Sequence, residues 1–390
     1  MTDDAPLLLD VTRLIWRRWK GRLPTGIDRV CLAYLRHFAG RAQAVVQHEQ
    51  FRRILDGHAS RALFALLDAP PERFRWRLPL RAVRHLGGLN RSGGGRLYLN
   101  IGHTGLDKPR FRHWLKAADV RPVYLVHDLI PITHPQFCRA GETERHKERM
   151  RTVLTTGSGV IANSQATLDA LAQFARDEGL PNPPGLVAWL GVDPLPASET
   201  AAEPEHPTFV ALGTIEGRKN HALLLDLWAR LIDRLGSQAP RLLIIGQRGW
   251  EAEEVFDRLD KDAKLRGYVT EIDRCPDEEL ARHLASARAL LFPSFIEGYG
   301  LPLVEALGIG VPVIASDLPV FREIAGDIPL YLDAPDEAGW EAAIRDYADG
   351  NSASRDAQLK RMEGFRVPSW QDHFDKVETW LSSLGAPAST

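Results

Sequence analysis

Two carboxylates, Glu297 and Glu305, stand with seven residues between them on either side of a glycine-rich turn: Glu297-Gly298-Tyr299-Gly300-Leu301-Pro302-Leu303-Val304-Glu305. The run before them, Ala289-Leu290-Leu291-Phe292-Pro293, is short and apolar, as a buried strand is. Pro302 suits the first position of a helix, because its ring fixes φ and the N–H it lacks would have gone unpaired there. The turn therefore leads into a helix N-terminus whose free backbone donors and positive dipole end attract phosphate. Glu297 is expected on the loop ahead of that phosphate position, and Glu305 one turn inside the helix. A diphosphate on the helix end, one carboxylate for sugar hydroxyls and one for ribose hydroxyls is an arrangement that suits a nucleotide-sugar.

A second cluster, Gly213-Thr214-Ile215-Glu216-Gly217-Arg218-Lys219-Asn220, runs from a strand end through a basic loop into a helix. Arg218 offers a rigid fork of donors and Lys219 a compact charge, and beside a helix start the two make a clamp for a diphosphate. As a nucleoside diphosphate departs, negative charge grows on its oxygens, and fixed cations with backbone N–H groups stabilise it as a divalent ion would. On this ground neither a metal nor a cofactor is expected. In the N-terminal half, His127-Asp128 follows the apolar run Val123–Val126, at the kind of strand end where open α/β sheets bind ligands. His127 can there hydrogen-bond a sugar hydroxyl or an acceptor. Gly26-Ile27-Asp28-Arg29-Val30 opens a helix, with Asp28 expected to face the acceptor. Asn100-Ile101-Gly102-His103-Thr104-Gly105 is a further strand-end loop, whose Asn100, His103 and Thr104 would line the acceptor side.

Holding such groups takes parallel strands, and the chain alternates short apolar runs with amphipathic stretches in the way of α/β proteins. Its 390 residues suggest two domains. Leu7–Val11 reads as a first strand, followed by a polar, glycine-containing loop and a helix from Gly26 to about Phe38. Further strands are expected at Val123–Val126 and Gly159–Ala162, the latter followed by a helix capped at Asn163-Ser164. Residues 87–95 read as loop, and 196–207 have the composition of a linker. Beyond it come strands at 207–213, 241–246, 288–292 and 311–315. Asn220 is placed to cap a helix whose Leu224, Trp228, Leu231 and Leu235 share one face. A last helix spans about Trp370 to Leu384.

These motifs resemble the Glu-x7-Glu and Gly-Thr-x-x-x-Arg-Lys-Asn signatures of the retaining nucleotide-sugar glycosyltransferases of family 4. The resemblance implies the α/β GT-B fold: two Rossmann-like domains facing each other across a cleft, with a C-terminal helix crossing back to the N-terminal domain. It divides the chain into an N-terminal acceptor-binding domain (1–195), a linker (196–207), a C-terminal donor-binding domain (208–365) and the returning helix (366–390). By the same resemblance Arg218 and Lys219 contact the donor diphosphate, and His127 faces the donor sugar. Gly26 lies near donor phosphate and acceptor. Gly213, Thr214, Glu297, Gly298, Tyr299, Gly300, Leu301 and Glu305 surround the donor, and Tyr268 and Val269 lie near its base. The catalytic set would be Glu297, His127, Arg218 and Lys219. The His-Asp-Leu-Ile-Pro and Gly-Thr-Ile-Glu segments look like those of bacterial mannosyl- or rhamnosyltransferases of surface-polysaccharide assembly, with GDP-mannose slightly favoured and the acceptor a saccharide, lipid-linked in the favoured case. The alternative is a non-catalytic GT-B scaffold in a polysaccharide assembly complex. A dehydrogenase is disfavoured, since no Gly-x-Gly-x-x-Gly follows the first strand.

Composition is that of a soluble globular protein: 44% hydrophobic and 26% charged residues. No apolar run approaches the length of a membrane span, the start Met1-Thr2-Asp3-Asp4 lacks a basic n-region, and three scattered cysteines suggest neither disulfides nor zinc. A cytoplasmic protein is the expectation. The net charge of −2 is unevenly spread, because residues 1–100 hold 18 Lys and Arg against 8 Asp and Glu. Arg13, Trp16, Arg17, Arg18, Trp19, Lys20 and Arg22, then Arg73, Phe74, Arg75, Trp76 and Arg77, interleave cations with aromatics, which suits the anionic inner face of a membrane. Nucleic acid is not an expected partner.

Overall fold

The computed structural model describes residues 5–21, 25–48, 51–70, 92–196 and 204–385. Arg22, Arg73, Phe74, Arg75, Trp76 and Arg77, most of the 196–207 linker and residues 87–91 lie outside them. The chain forms two units, one of residues 1–129, 144–190 and 370–390, the other of 130–143 and 191–369.

The first unit is built on a seven-stranded sheet in the order β3-β2-β1-β4-β5-β6-β7. Its strands are β1 (Leu7–Asp10), β2 (Ala42–His48), β3 (Phe51–Ile54), β4 (Arg96–Asn100), β5 (Val120–Val126), β6 (Gly159–Ala162) and β7 (Gly185–Val187). All neighbours run parallel except β2 and β3. The central strands are apolar on both faces and buried on both, as a parallel sheet sandwiched by helices requires. The segment after β1, expected as a loop, is instead a helix, Thr12–Lys20. Leu14 points inward while Arg17, Arg18 and Lys20 occupy the last turn, where the dipole favours cations, and Gly21 closes the end in the left-handed region at φ 63°. The final helix, Trp370–Gly385, belongs to this unit. His373 shares a hydrogen bond of 2.8 Å with the Tyr34 hydroxyl, and the Phe374 and His37 rings stack.

The second unit has six parallel strands, β8 (Thr208–Leu212), β9 (Arg241–Ile245), β10 (Val269–Ile272), β11 (Ala289–Phe292), β12 (Val313–Ser316) and β13 (Leu330–Leu332). Their order is β10-β9-β8-β11-β12-β13. This is the doubly wound Rossmann arrangement, in which the order reverses between the first and fourth strands, here β8 and β11, and a crevice opens beyond their C-terminal ends. Leu224, Trp228 and Leu231 pack into the core from the helix His221–Leu235. Leu235, grouped with them by periodicity, is 37% exposed at the helix end. Asn220 precedes that helix without capping it by its side chain; it sits at φ 56° and its amide donates to the Ala334 carbonyl at 3.1 Å.

Candidate functional site

The two motif loops leave adjacent strands at the switch point of the second sheet. Residues 213–219 follow β8, and 293–300 follow β11. The Phe295 N–H donates to the Arg218 carbonyl at 2.9 Å, stitching the loops together. Two glycines permit the geometry. A Cβ on Gly246 would lie 1.9 Å from the Gly213 carbonyl oxygen. Gly300 takes φ +110° with its α-carbon against Phe321, and the helix Leu301–Gly308 starts behind it. That helix begins one residue earlier than expected, so Pro302 is its second residue. Glu305 is buried inside it, as is Tyr299 ahead of it.

Glu297 is the centre of a charge cluster. Its Oε2 meets Arg218 Nη1 at 2.7 Å, and its Oε1 meets Lys219 Nζ at 2.6 Å and accepts from the Ser294 hydroxyl at 2.8 Å. Arg218 spends its other arm on Glu216, with Nη2 to Oε1 at 2.6 Å, and Nη1 also donates to the Ile296 carbonyl at 3.1 Å. Lys219 Nζ stands 4.6 Å from the centre of the Phe292 ring, a cation–π contact. Burial alone would raise the Glu297 carboxyl, but Arg218 and Lys219 override it and hold it at about 2. For Lys219 burial is the larger influence and lowers it, with Glu297 pulling the other way. Sequence reasoning found Arg218, Lys219 and Glu297 but missed Glu216, which lies inside the quoted 213–220 motif, and Ser294, which falls between the 289–293 run and the Glu297–Glu305 motif.

Tyr268 and Val269, expected near a base, lie at the opposite edge. Val269 pairs with Leu242 at the start of β10 and Ile272 with Ile245 at its end, and Leu212, just before Gly213, is also level with Ile245. Tyr268 is therefore about four residues of strand away from the Gly213 edge, roughly 13 Å. Its ring is covered by the Arg241 guanidinium. The stretch from β10 that reaches the correct edge is 273–276.

In the first unit, His127 is buried and its Nε2 hydrogen-bonds the Ile101 carbonyl at 2.7 Å, so Nε2 carries the hydrogen and Nδ1 is the acceptor. His103, at φ 56°, does the same to the Leu125 carbonyl at 2.9 Å, and the two rings lie 5.3 Å apart. Two of the expected acceptor residues have other work. Asn100 is wholly buried, donating to Tyr98 and the Thr104 carbonyl and accepting from the Thr104 N–H, which fixes the 101–104 loop. Asp28 is 1% exposed. It forms a capping box with Thr25 and pairs with Arg13 and Arg17, each at 2.7 Å. Gly26 is exposed and Thr104 half-buried.

Burial lowers His127 and His373 to about 4 and His221 to about 3. Below about pH 6.5 the unfolded chain takes up protons that these folded histidines refuse. Tm is accordingly expected to rise as pH is raised from about 4 to about 6.5 and to level off above; a Tm that fell across that window in calorimetry would contradict the buried neutral imidazoles.

The one Asp-x-Asp triplet in the chain is Asp260-Lys261-Asp262. Asp260 is bound by Arg248, and Asp262 accepts from the Lys264 N–H. Among the described residues no group of three His, Cys, Asp or Glu is placed to hold a metal ion.

Residues 197–360 match the family described as glycosyl transferases group 1. Among curated proteins, the chain is 27% identical over 253 residues to the serotype-specific mannosyltransferase WbdA of Escherichia coli, covering 60% of this chain and 30% of that one. It is 32% identical over 161 residues to O-antigen chain mannosyltransferase B of Escherichia coli, covering 41% and 42%. It is 39% identical over 138 residues to O-antigen chain mannosyltransferase RfbU of Salmonella typhimurium, covering 35% and 37%. The chain thus spans well under half of the length of these relatives. Among solved structures, Anabaena HepE in complex with UDP-glucose superposes with a TM-score of 0.67 at 15% identity, covering 96% of this chain and 99% of that one. Sucrose-phosphate synthase from Thermosynechococcus elongatus gives 0.63 at 16%, covering 98% and 100%. At these identities the likeness is one of fold.

Proposed function

We propose that this chain, whose residues 197–360 make up a glycosyl transferases group 1 domain on a GT-B fold, transfers a hexose from a nucleotide-sugar to a saccharide acceptor in surface-polysaccharide synthesis. The observation that carries the reading is the Arg218–Lys219–Glu297 cluster at the β8/β11 switch point, beside the start of the helix Leu301–Gly308. Cations for a diphosphate and a carboxylate for sugar hydroxyls are held within one hydrogen-bonded pair of loops. Mannose is the favoured sugar and GDP the favoured carrier, because the relatives named above are mannosyltransferases. The acceptor is a lipid-linked saccharide.

The chemistry proceeds with retention on one face of the sugar. The acceptor oxygen bonds to the anomeric carbon as that carbon's bond to the donor phosphate oxygen breaks. The acceptor proton passes to the departing phosphate. Arg218, Lys219 and the N–H groups of the 298–301 turn stabilise the charge that grows there. His127, neutral with Nδ1 as acceptor, orients a saccharide hydroxyl. Glu305 binds ribose. No divalent ion takes part, so transfer should survive EDTA undiminished; a strict requirement for Mg²⁺ or Mn²⁺ would show the cation clamp to be misread. Thermal shift against a panel of nucleotide-sugars tests the donor, with GDP-mannose expected to raise Tm most. A panel without any shift would remove the reading.

The enzyme works at the cytoplasmic face of a membrane on this reading. Among the described residues no helix is long and apolar enough to cross one. The helix Thr12–Lys20 exposes Trp16 and Trp19 at 38% and 40%, with Lys20 beside them. Arg13 and Arg17 are bound to Asp28, and Arg18 donates to the Leu67 carbonyl, so the tryptophans and Lys20 are the outward part of the patch. Sedimentation with phosphatidylserine vesicles is expected to capture the protein at low salt, with each basic residue at the surface contributing about 1 kcal/mol. Trp19→Ser with Lys20→Glu should release it, and equal binding to neutral vesicles would exclude the electrostatic part.

A further inference from the structure

Glu216 is 4% exposed, and no part of the reading above gives it a task. Its Oε1 lies 2.6 Å from Arg218 Nη2, while the other arm of the same guanidinium holds Glu297 at 2.7 Å. An arginine fork that could bind one phosphate with both arms is thus split between two carboxylates. Counted with Lys219, the cluster contains two cations and two anions at side-chain exposures of 20% or less. It is neutral before any ligand arrives. A diphosphate on Arg218 and Lys219 brings at least two more negative charges into a poorly hydrated site, where like charges raise each other's cost steeply. One carboxylate must give up its charge or its partner.

Glu297 is the poorer candidate, because Arg218, Lys219 and the Ser294 hydroxyl all hold its ionised form. Glu216 has one charged partner in direct contact, and burial already raises its carboxyl above the usual range against the pull of Arg218 and Lys219. The charged groups around it are Arg218 and Lys219 on its own loop and Glu297 across from it. The loop 246–251 packs against its β-carbon through Gly249. That loop contributes Arg248, bound to Asp260 and Glu271, and Glu251. No further cation on it is thus committed to keeping Glu216 ionised.

We propose that Glu216 is a positioning residue that holds Arg218 in place while the site is empty and takes up a proton when a nucleoside diphosphate binds, releasing one arm of the guanidinium to the phosphate. The proposal rests on the donor-site reading above. The neutral Glu216 remains beside Arg218 as a hydrogen-bonding acid and no longer competes with the ligand as an anion.

Calorimetric titration with GDP and with UDP, between pH 7 and 9, tests this. A terminal phosphate, with a second pKa of about 6, is already ionised across that range and contributes little proton exchange of its own. The wild-type protein should show a binding enthalpy that depends on the ionisation heat of the buffer, in the sense of proton uptake. Its affinity should weaken by up to tenfold per pH unit. Glu216→Gln keeps the shape and a hydrogen-bond acceptor without the charge, and should bind the same nucleotide with neither dependence. Glu323→Gln, an acidic residue outside the cluster, should keep both. Nucleotide binding without proton uptake in the wild type, or uptake that persists in Glu216→Gln, overturns the proposal and leaves the donor site standing. If neither nucleotide binds, the donor site falls and this role of Glu216 with it.

Discussion

Arg218→Ala should lower kcat by about 10²–10³-fold, a loss of about 2.7–4 kcal/mol typical of removing one preorganised group from a developing oxyanion. The argument is geometric. Arg218 has one arm on each of two buried carboxylates and its carbonyl bound by the Phe295 N–H, so the guanidinium cannot drift and a mobile replacement cannot substitute for it. Arg218→Lys keeps the charge but not the fork and should recover only part of the rate. Two neighbouring changes separate binding from chemistry. Glu297→Gln should mainly depress kcat, because contacts to the reacting sugar strengthen in the transition state. Glu305→Gln should mainly raise the donor KM, because ribose contacts bind ground and transition states alike. Removing Arg218 also strands Glu216 without its cation and leaves Glu297 with Lys219 alone, so each variant must be shown by circular dichroism to be folded at the assay temperature. Wild-type kcat in folded Arg218→Ala would eliminate the clamp.

The part of this site that sequence made legible is the part written in consecutive residues. The turn at 298–300, the helix behind it and the basic loop at 213–220 each announce themselves through glycine, proline and charge at fixed offsets. What joins them is not local. Arg218 and Glu297 meet because β8 and β11 are neighbours, and neighbour order in a parallel sheet is decided by crossover packing rather than by either segment. Tyr268 and Val269 fall away from the switch-point edge for a related reason. Gly267 in the left-handed region at φ 79° and the β-branched pair Val269-Thr270 mark the beginning of a strand, whereas ligands collect at the other end. Two further signals were present and unread. Thr25-x-x-Asp28 is a capping box, which predicts a carboxylate turned back on its own helix. The segment 12–20 looks like a loop because arginine and tryptophan dominate it, yet three of its four cationic residues crowd its C-terminal half and a glycine follows, as at a helix end.

Asp28 supplies the second large effect, and it separates a structural role from the acceptor contact that its motif suggested. Both carboxylate oxygens are engaged: Oδ1 with Arg13 and Oδ2 with Arg17, the Thr25 N–H and the Thr25 hydroxyl. Asp28→Ala leaves two guanidinium groups facing each other over a 1% exposed position and removes the cap of the helix Gly26–Phe38. Stranding buried charge in this way costs about 3–5 kcal/mol. The lower part of that range applies, because Arg13 and Arg17 retain 29% and 20% side-chain exposure and water can screen them. At roughly 2–4 °C per kcal/mol for a unit of this size, Tm should fall by on the order of 10 °C. Arg13→Ala and Arg17→Ala should each cost less than Asp28→Ala, since either leaves Asp28 one cation and its capping bonds. The triple variant Arg13→Ala/Arg17→Ala/Asp28→Ala should be more stable than Asp28→Ala alone, because no charge is left unpaired. If instead Asp28 served the acceptor, Asp28→Asn would raise the acceptor KM with Tm unmoved, and urea titrations of the triple and single variants would differ only by the sum of independent losses.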